Sequence, residues 1–249
     1  MQKLRYFGAA LFVCASFSIN AQLGVGEELV RNGSFEMIEK TPKTYDQIKY
    51  ATGWKNVTLA MSELFDKKAS HKTVGIPAND YGTMEPADGE NYAGFMGWKA
   101  DVRLDMGAAD PEDVFKPGWN EYSEYLQGEL LQPLEKGARY EVSFKVALAG
   151  NSDRSIMGVG AFLWKHPQAY QHRKFMEEVP DVFLEEIITE KEKWVEIKGT
   201  FIARGGEQAI VIGVFPYVGL ESENITEGYD NRYAYYYVDS ISLKRLPEE

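Results

Sequence analysis

A run of strict alternation between apolar and polar residues constrains the fold of this chain more than any other feature. In RYEVSFKVAL, which starts at residue 139, every second side chain is apolar. Successive side chains of a strand point to opposite sides of a sheet, so this spacing places the apolar residues on one face. The segment therefore predicts a β-strand with one face in a core. The apolar residues are Tyr140, Val142, Phe144, Val146 and Leu148.

Three further segments in the second half have strand patterns. Residues 194–203 alternate in the same way, residues 209–215 are almost wholly apolar, and residues 235–243 form the last strand. The apolar run at 209–215 predicts a strand that is buried on both faces. Turn sequences rich in glycine separate the strands. The pattern predicts an all-β jelly-roll β-sandwich of two antiparallel sheets.

The first half of the chain and the loops are less regular. We expect a few short helical turns in the loops, one within residues 60–68 and one within residues 169–178, which contain neither glycine nor proline. Residues 101–120 are rich in proline, glycine and acids and predict a surface loop. There is no internal repeat or linker, so we expect a single domain.

The first 21 residues have the features of a cleaved export signal. Lys3 and Arg5 make the start positive, residues 7–17 are apolar, and Ala21 is a small residue at a suitable cleavage position. We therefore expect an exported protein whose mature chain is 22–249.

The composition of the mature chain limits its partners. It has no cysteine, because Cys14 lies in the signal, so the core must stabilise the fold without disulfides. The formal net charge of −11 becomes −13 once Lys3 and Arg5 are removed. An acidic excess argues against nucleic acid and anionic lipid, which need a basic face, and is compatible with sugars, cations and protein partners. No long apolar stretch follows the signal, so we expect no transmembrane segment in the mature chain.

Two carboxylates, Glu36 and Asp239, lie in segments expected to be the first and last strands. Alternation through residues 235–243 places Asp239 on the same face as Tyr235, Tyr237, Ile241 and Leu243, which points it toward the core side of the strand. A buried carboxylate costs several kcal/mol unless it is paired, hydrogen-bonded or bound to a metal. Chain ends are often neighbours, so Glu36 can approach Asp239, and a cation between them would relieve their repulsion.

Oxygen ligands alone favour Ca²⁺ over a transition metal. A third acidic stretch, EPADGEN at residues 85–91, is turn-like and adds Asp88. The alternative is that Asp239 accepts hydrogen bonds from backbone N–H groups while Glu36 is exposed.

Several blocks of the sequence together resemble a jelly-roll domain of exported Bacteroidota proteins. Such domains occur at the N terminus of OmpA-family proteins and in gliding- and secretion-associated proteins. The NGSFE start and the tyrosine-rich VD end are also similar to carbohydrate-binding modules that contain calcium and to galactose-binding-like domains. The blocks are LVRNGSFE (29–36), GW (53–54), PADGENYAGF (86–95), EYLQGELLQPLEKGARYEVSF (124–144), WVEIKGTFIARGGEQAIVIG (194–213) and YYYVDSISL (235–243).

The resemblance implies a structural Ca²⁺ that ties the first strand, one loop and the last strand together. Carried onto the matching positions of this sequence, it implies five ligands: the backbone carbonyl of Ser34, Glu36, Asp88, the backbone carbonyl of Asn91, and Asp239.

No motif predicts catalysis. A glucanase of this fold needs carboxylates on one strand face, as in E-x-D-x-x-E, and the sequence has no such pattern. His166 and His172 do not have the spacing of a zinc pair on a helix. We therefore expect a binding module, and a polysaccharide-active enzyme is the last of the alternatives.

Aromatic residues in or beside the predicted loops are candidates for stacking on sugar rings, since sugar sites combine ring faces with a few polar groups. The first set is Trp98, Trp119, Tyr122 and Tyr125. The second set, expected on the other side, is Trp164, Tyr217 and Tyr233.

Two classes of function remain open. The chain is either a module that binds carbohydrate or cell-wall glycan, with a structural calcium, or a protein–protein module of an outer-membrane or secretion-linked complex. The first predicts a groove with exposed aromatic rings, and the second an exposed apolar patch or an unpaired strand edge. We expect a periplasmic or outer-membrane-associated protein, with secretion as the alternative.

Overall fold

The computed structural model describes residues 23–99, 122–216, 222–225 and 232–248. The expected export signal, the expected loop at 101–120 and the candidate residues Trp119 and Tyr217 lie outside the described residues. Within these ranges the chain is an all-β jelly-roll sandwich of antiparallel sheets, which confirms the predicted fold class.

Two five-stranded sheets form the sandwich. The spatial order of sheet 1 is β1 (Trp54–Asn56), β6 (Leu126–Glu129), β12 (Ala209–Val214), β9 (Val159–Trp164) and β10 (Val182–Phe183). The order of sheet 2 is β11 (Val195–Ile202), β7 (Arg139–Leu148), β14 (Tyr233–Arg245), β5 (Asn91–Lys99) and β2 (Glu63–Asp66). Two short ribbons pair β3 (Ala78–Asn79) with β4 (Gly82–Thr83), and β8 (Arg154–Ile156) with β13 (Ser222–Asn224).

The main core lies between the two sheets. The alternation that predicted β7 is confirmed, because its even-numbered residues from Tyr140 to Leu148 are buried. They belong to one cluster with Ile210 and Ile212 of β12. Every residue of β12 is buried, as the apolar run predicted.

Both sheets also carry apolar residues on their outer faces, and irregular segments of chain cover these faces. On sheet 2, Phe65 and Tyr235 pack with Val74, which lies in the connection after β2. On sheet 1, Val211 packs with Met176 from the long connection after β9. The covering of sheet 1 explains why β12 is buried on both sides.

The prediction of helical turns within residues 60–68 and 169–178 is wrong. Part of 60–68 forms β2, which pairs with the first half of β5 and so takes an extended conformation. Residues 169–178 are irregular because their backbone bonds to other segments: the Tyr170 N–H donates to the Val57 carbonyl (2.7 Å) and the Met176 N–H to the Tyr125 hydroxyl (3.0 Å). A short 3₁₀ turn does occur at Ile48–Tyr50. In the ranges described above, no helix is long and apolar enough to cross a membrane.

Candidate functional site

A bulge in β14 decides where Asp239 points. Asp239 is paired with Lys145 of β7, and the next pair is Ser242 with Ser143. The last strand therefore has one more residue than its neighbour between these pairs, which is the signature of a β-bulge. Ser240 lies in the bulge with φ of 54°, in the left-handed region.

The bulge shifts the alternation of the last strand by one residue. Tyr235 and Tyr237 pack in the cluster on the outer face of sheet 2, whereas Ile241 and Leu243 pack in the core between the sheets. The expectation that Asp239 shares a face with Ile241 and Leu243 is therefore wrong. By alternation it lies on the side of Tyr235 and Tyr237, next to the loop before β5.

The carboxylate of Asp239 holds that loop by accepting backbone hydrogen bonds. Its Oδ2 accepts the N–H groups of Ala87 (2.9 Å) and Asp88 (3.0 Å), and its Oδ1 accepts the N–H of Ser240 (2.6 Å). Asp239 is fully buried. Burial raises the pKa of Asp239 to about 7 although these three N–H groups favour the charged form.

The carboxylate of Glu36 holds the other end of the same loop. Its Oε1 accepts the N–H groups of Glu90 (2.8 Å) and Asn91 (2.9 Å), and its Oε2 accepts Nδ2 of Asn91 (3.2 Å). Gly89 allows this approach: it has φ of +66°, and a Cβ there would lie 2.3 Å from Oε1 of Glu36.

The structure thus brings four of the five residues implied as calcium ligands to one loop: Glu36, Asp88, Asn91 and Asp239. The fifth, Ser34, follows Gly33, whose carbonyl accepts the N–H of Ile241 in β14 (2.9 Å). Among the described residues, no three Asp, Glu, His or Cys side chains converge on a possible metal position. The donors fit an oxygen-coordinated cation in one respect: Oδ1 of Asn91 is buried and has no hydrogen-bond partner in the described part of the chain.

Three of the candidate aromatic residues are buried rather than available to a ligand. Trp98 is 3% exposed in the main core, and Tyr125 is fully buried with its hydroxyl bonded to the Val214 carbonyl (2.5 Å). Trp164 is 7% exposed and contacts Phe162 and Tyr170. These three rings therefore present no exposed face to a sugar, because other side chains pack against them between the sheets or over sheet 1.

Tyr122 and Tyr233, by contrast, come together on one surface. Lys99, the last residue of β5, is paired with Tyr233 on one side and with Tyr122 on the other. Residues directly opposite each other in antiparallel strands project to the same face. Both rings are half-buried against the outer cluster of sheet 2, and Lys99 between them is exposed. The guanidinium of Arg173 lies 5.9 Å from the centre of the Tyr122 ring.

Two more half-buried tyrosines extend this surface. Tyr81 contacts Tyr233 edge-on at 6.1 Å and stacks flat on the buried Tyr235 at 3.6 Å. Tyr45 contacts Tyr81 at 6.1 Å. We call the four half-buried rings, Tyr45, Tyr81, Tyr122 and Tyr233, the tyrosine patch.

Two buried carboxyl groups lie beneath the tyrosine patch. Glu124 is 3% exposed and accepts the Tyr122 hydroxyl (2.8 Å) and the N–H of Met96 (2.7 Å). Glu63 is 2% exposed and accepts the hydroxyl of Tyr235 (2.5 Å). Burial raises the pKa of Glu124 to about 7, and burial followed by repulsion from Glu124 raises the pKa of Glu63 well above its ordinary value.

The sequence analysis missed Glu63 and Glu124 because it sought paired carboxylates on a single strand. Here they come from two separate segments that lie along the same edge of β5: Glu63 is paired with Gly94, and the N–H of Glu124 donates to the Met96 carbonyl (2.9 Å). A signal for one of them was present, since Tyr122 and Glu124 are two residues apart and so share a face in an extended chain.

No known family model matches this chain, and no curated protein matches it. Comparison with solved structures finds similar chains at low identity. The CBM22-1 xylan-binding domain of Xyn10C from Paenibacillus barcinonensis is 12% identical, with a TM-score of 0.45, over 92% of this chain and all of that one (100%). The K1 cleaved adhesin domain of Lys-gingipain from Porphyromonas gingivalis is 13% identical, with a TM-score of 0.45, over 90% of this chain and 100% of its own. These values are too low for the likenesses to indicate a function.

Proposed function

We propose that this chain is a non-catalytic module that binds a carbohydrate chain at the tyrosine patch. The observation that carries the proposal is the row of Tyr122, Lys99 and Tyr233, placed in register on one face of three adjacent segments. Half-exposed rings beside exposed charged groups are the combination that sugar sites use: rings stack on pyranose faces while polar groups bind hydroxyls. Lys99 and Arg173 supply hydrogen-bond donors at the patch.

The carboxyl groups beneath the patch support binding rather than hydrolysis. A glycosidase needs its acid and its nucleophile or base at the scissile bond. Glu63 and Glu124 are instead covered by tyrosine rings, and their oxygens already accept hydrogen bonds from Tyr235, Tyr122 and Met96. In this position they fix the orientation of the tyrosines, which prepares the patch for a ligand without further ordering.

We also propose a structural Ca²⁺ at the loop of residues 87–91, with Glu36 and Asp239 as its carboxylate ligands. The support is that the loop, the start of the chain and the last strand meet there, and that the Asn91 Oδ1 is a buried acceptor without a donor. Such an ion would neutralise the carboxylate of Asp239, whose charge burial otherwise disfavours. Thermal unfolding in chelator and in Ca²⁺ tests this proposal: the native state must melt higher in Ca²⁺ if it binds the ion. Equal melting temperatures would contradict it.

Binding to the patch is tested by isothermal titration against a panel of soluble glycans and peptidoglycan fragments. Tyr122→Ala and Tyr233→Ala are each expected to weaken binding of the responding glycan by at least about tenfold, equivalent to 1.4 kcal/mol. Tyr50→Ala is the matched control, because Tyr50 is also a half-buried tyrosine but lies outside the patch, beside Lys40.

Two results would refute the assignment of the site. If no glycan of the panel binds the native protein, the carbohydrate function is wrong. If a glycan binds and Tyr170→Ala weakens it while both patch variants do not, the ligand lies on the other sheet, since Tyr170 packs over sheet 1.

A further inference from the structure

Two positively charged side chains lie beside Tyr122 in the tyrosine patch. Lys99 is directly paired with Tyr122, so their side chains project to the same face with Cβ atoms about 5 Å apart. The guanidinium of Arg173 lies 5.9 Å from the centre of the Tyr122 ring. Its backbone is held there because the Arg173 carbonyl accepts the N–H of Ser123 (2.9 Å). An ammonium and a guanidinium group are therefore available at one half-buried ring.

Neither cation has a carboxylate partner in the described part of the chain. Arg173 forms no ion pair there, and neither does Lys99, which is exposed. Four other arginines do pair with carboxylates: Arg31, Arg154, Arg204 and Arg245. A guanidinium presents its N–H donors in a planar fork that fits both oxygens of a carboxylate. Arg173 can therefore bind a carboxylate that comes from a ligand.

The carboxyl groups that act on Tyr122 do not cancel these two positive charges in mildly acidic solution. Burial raises the pKa of the Tyr122 hydroxyl, and the carboxyl groups of Glu124, Glu63 and Asp46 raise it further. Burial also raises the pKa of Glu124 to about 7 and that of Glu63 well above its ordinary value, so both are largely protonated at pH 6. Asp46 then supplies at most one negative charge against two positive charges.

The negative charge of Asp80 lies at a different ring of the patch. Its Oδ2 atom accepts the hydroxyl of Tyr45 (3.0 Å). A ligand carboxylate at Tyr45 would be repelled, whereas the hydroxyl groups of a sugar can donate hydrogen bonds to such an acceptor. The charges therefore favour one position for a ligand carboxylate, which is beside Tyr122.

We infer that the tyrosine patch binds an acidic glycan, with one of its carboxylates held by Lys99 and Arg173 beside the Tyr122 ring. Such binding rests on the proposed function and narrows its ligand to glycans that carry carboxylates. Uronic acids supply these groups along a polysaccharide, and peptide stems supply them in peptidoglycan. The acidic excess of the whole chain opposes such a ligand only weakly, because salt screens charges beyond about 8 Å at physiological ionic strength.

Isothermal titration with matched pairs of glycans at pH 6 tests the inference. Each pair consists of an acidic glycan and its methyl ester, which keeps the sugars and removes the charge. The pairs are made from oligogalacturonate, from an oligosaccharide of alternating glucuronate and N-acetylglucosamine, and from muropeptides. In the pair that responds, the acidic member is expected to bind at least about tenfold more tightly than its ester, because hydrogen bonds to charged groups are the stronger ones. The responding pair also identifies the source of the carboxylate.

Lys99→Gln and Arg173→Gln show whether the two cations cause this preference. Each variant keeps an N–H donor and loses one positive charge, so the ratio of the two dissociation constants is expected to fall in each and the preference to disappear in the double variant. The ratio is the readout because a general loss of binding weakens both members of a pair. Lys55→Gln is the matched control, because Lys55 is exposed on β1 of the other sheet, and it is expected to keep the ratio.

The outcomes separate this inference from the proposed function. A preference for the acidic member that the double variant loses supports the inference. Equal binding of acid and ester overturns it and leaves a carbohydrate site for neutral glycans, as does binding of neutral glycans alone. A preference that survives in the double variant also overturns it, because the carboxylate then binds elsewhere. If no glycan binds at all, both proposals are wrong. If Arg173→Gln does not fold, Arg173→Met, which keeps an unbranched side chain without the charge, takes its place.

Discussion

Replacing Glu124 by glutamine is expected to flatten the dependence of stability on pH. Burial raises the pKa of this carboxyl from its ordinary 4.5 to about 7, against the lowering effect of the Met96 N–H and the Tyr122 hydroxyl. Because the folded protein holds the proton more tightly than the unfolded chain, its stability falls as the pH rises from 4.5 toward 7. Above about pH 7 the loss is complete, since Glu124 is then ionised in both states.

The size of the effect follows from these two pKa values. Because the pKa is 4.5 in the unfolded chain and about 7 in the folded protein, linkage makes the native state a few kcal/mol less stable at pH 8 than at pH 5. Glutamine keeps an oxygen for the Met96 N–H and places an amide beside the Tyr122 hydroxyl, which can itself accept a hydrogen bond. The variant is therefore expected to be more stable than the native sequence at pH 8 and less dependent on pH.

Urea unfolding at pH 5, 6.5 and 8 measures this difference directly. Glu63 titrates in the same direction, so the variant keeps a reduced slope rather than none. Glu196→Gln is the control, because Glu196 is exposed on β11 and its replacement should leave the profile unchanged. The reasoning is refuted if the curves of Glu124→Gln and the native sequence run parallel, because Glu124 would then be ionised in the folded protein throughout this range.

Two further predictions concern contacts between β14 and the segments that pack against it. Gly33→Ala is expected to destabilise the fold by at least about 2 kcal/mol, because its Cβ would lie 1.9 Å from the Ile241 carbonyl oxygen. Thermal unfolding measures this effect. Gly24→Ala is the control, because a Cβ at Gly24 has only an ordinary contact at 3.8 Å. Tyr236→Phe is expected to lower the free energy of unfolding by about 1–3 kcal/mol, because the hydroxyl accepts the buried Ile156 N–H (2.8 Å). Urea unfolding measures this free energy, with Tyr50→Phe as the control. An equal effect at both positions would contradict the hydrogen-bond explanation.

The strands of the second half were predictable because their packing repeats with a simple period. β7 has one face in the core, and its sequence alternates between apolar and polar residues. β12 is covered on both faces, and its sequence is a continuous apolar run. The segment at 60–68 has neither pattern. Its strand, β2, exists because it pairs with β5, and a partner distant in sequence is invisible to a local pattern.

The two candidate sites were predictable in unequal degree. The motif around Glu36 and Asp239 correctly indicated that the segments of these two residues meet at one loop. Period-two alternation grouped Asp239 with the residues on both sides of Ser240, and it is wrong for Ile241 and Leu243 because a bulge at Ser240 adds a residue. Tyr122 and Tyr233 were both candidates, but the sequence analysis expected them on opposite sides of the domain, whereas the structure brings them together at Lys99. Tyr81 joins the tyrosine patch from a connection that folds over sheet 2, and nothing in the local sequence shows where such a connection lies.

β5 links the two proposed sites and also keeps them apart. Asn91, at its beginning, belongs to the loop proposed to hold calcium, and Lys99, at its end, belongs to the tyrosine patch. Eight residue-to-residue steps along this nine-residue strand separate Asn91 from Lys99 by roughly 26 Å, at about 3.3 Å per step. The strand between them is buried at every position from Asn91 to Trp98 and paired on both edges, so we expect it to transmit no change in structure from the ion to the patch. Loss of the ion should therefore act on glycan binding only through unfolding, and at temperatures well below melting the affinity of the patch should not depend on Ca²⁺.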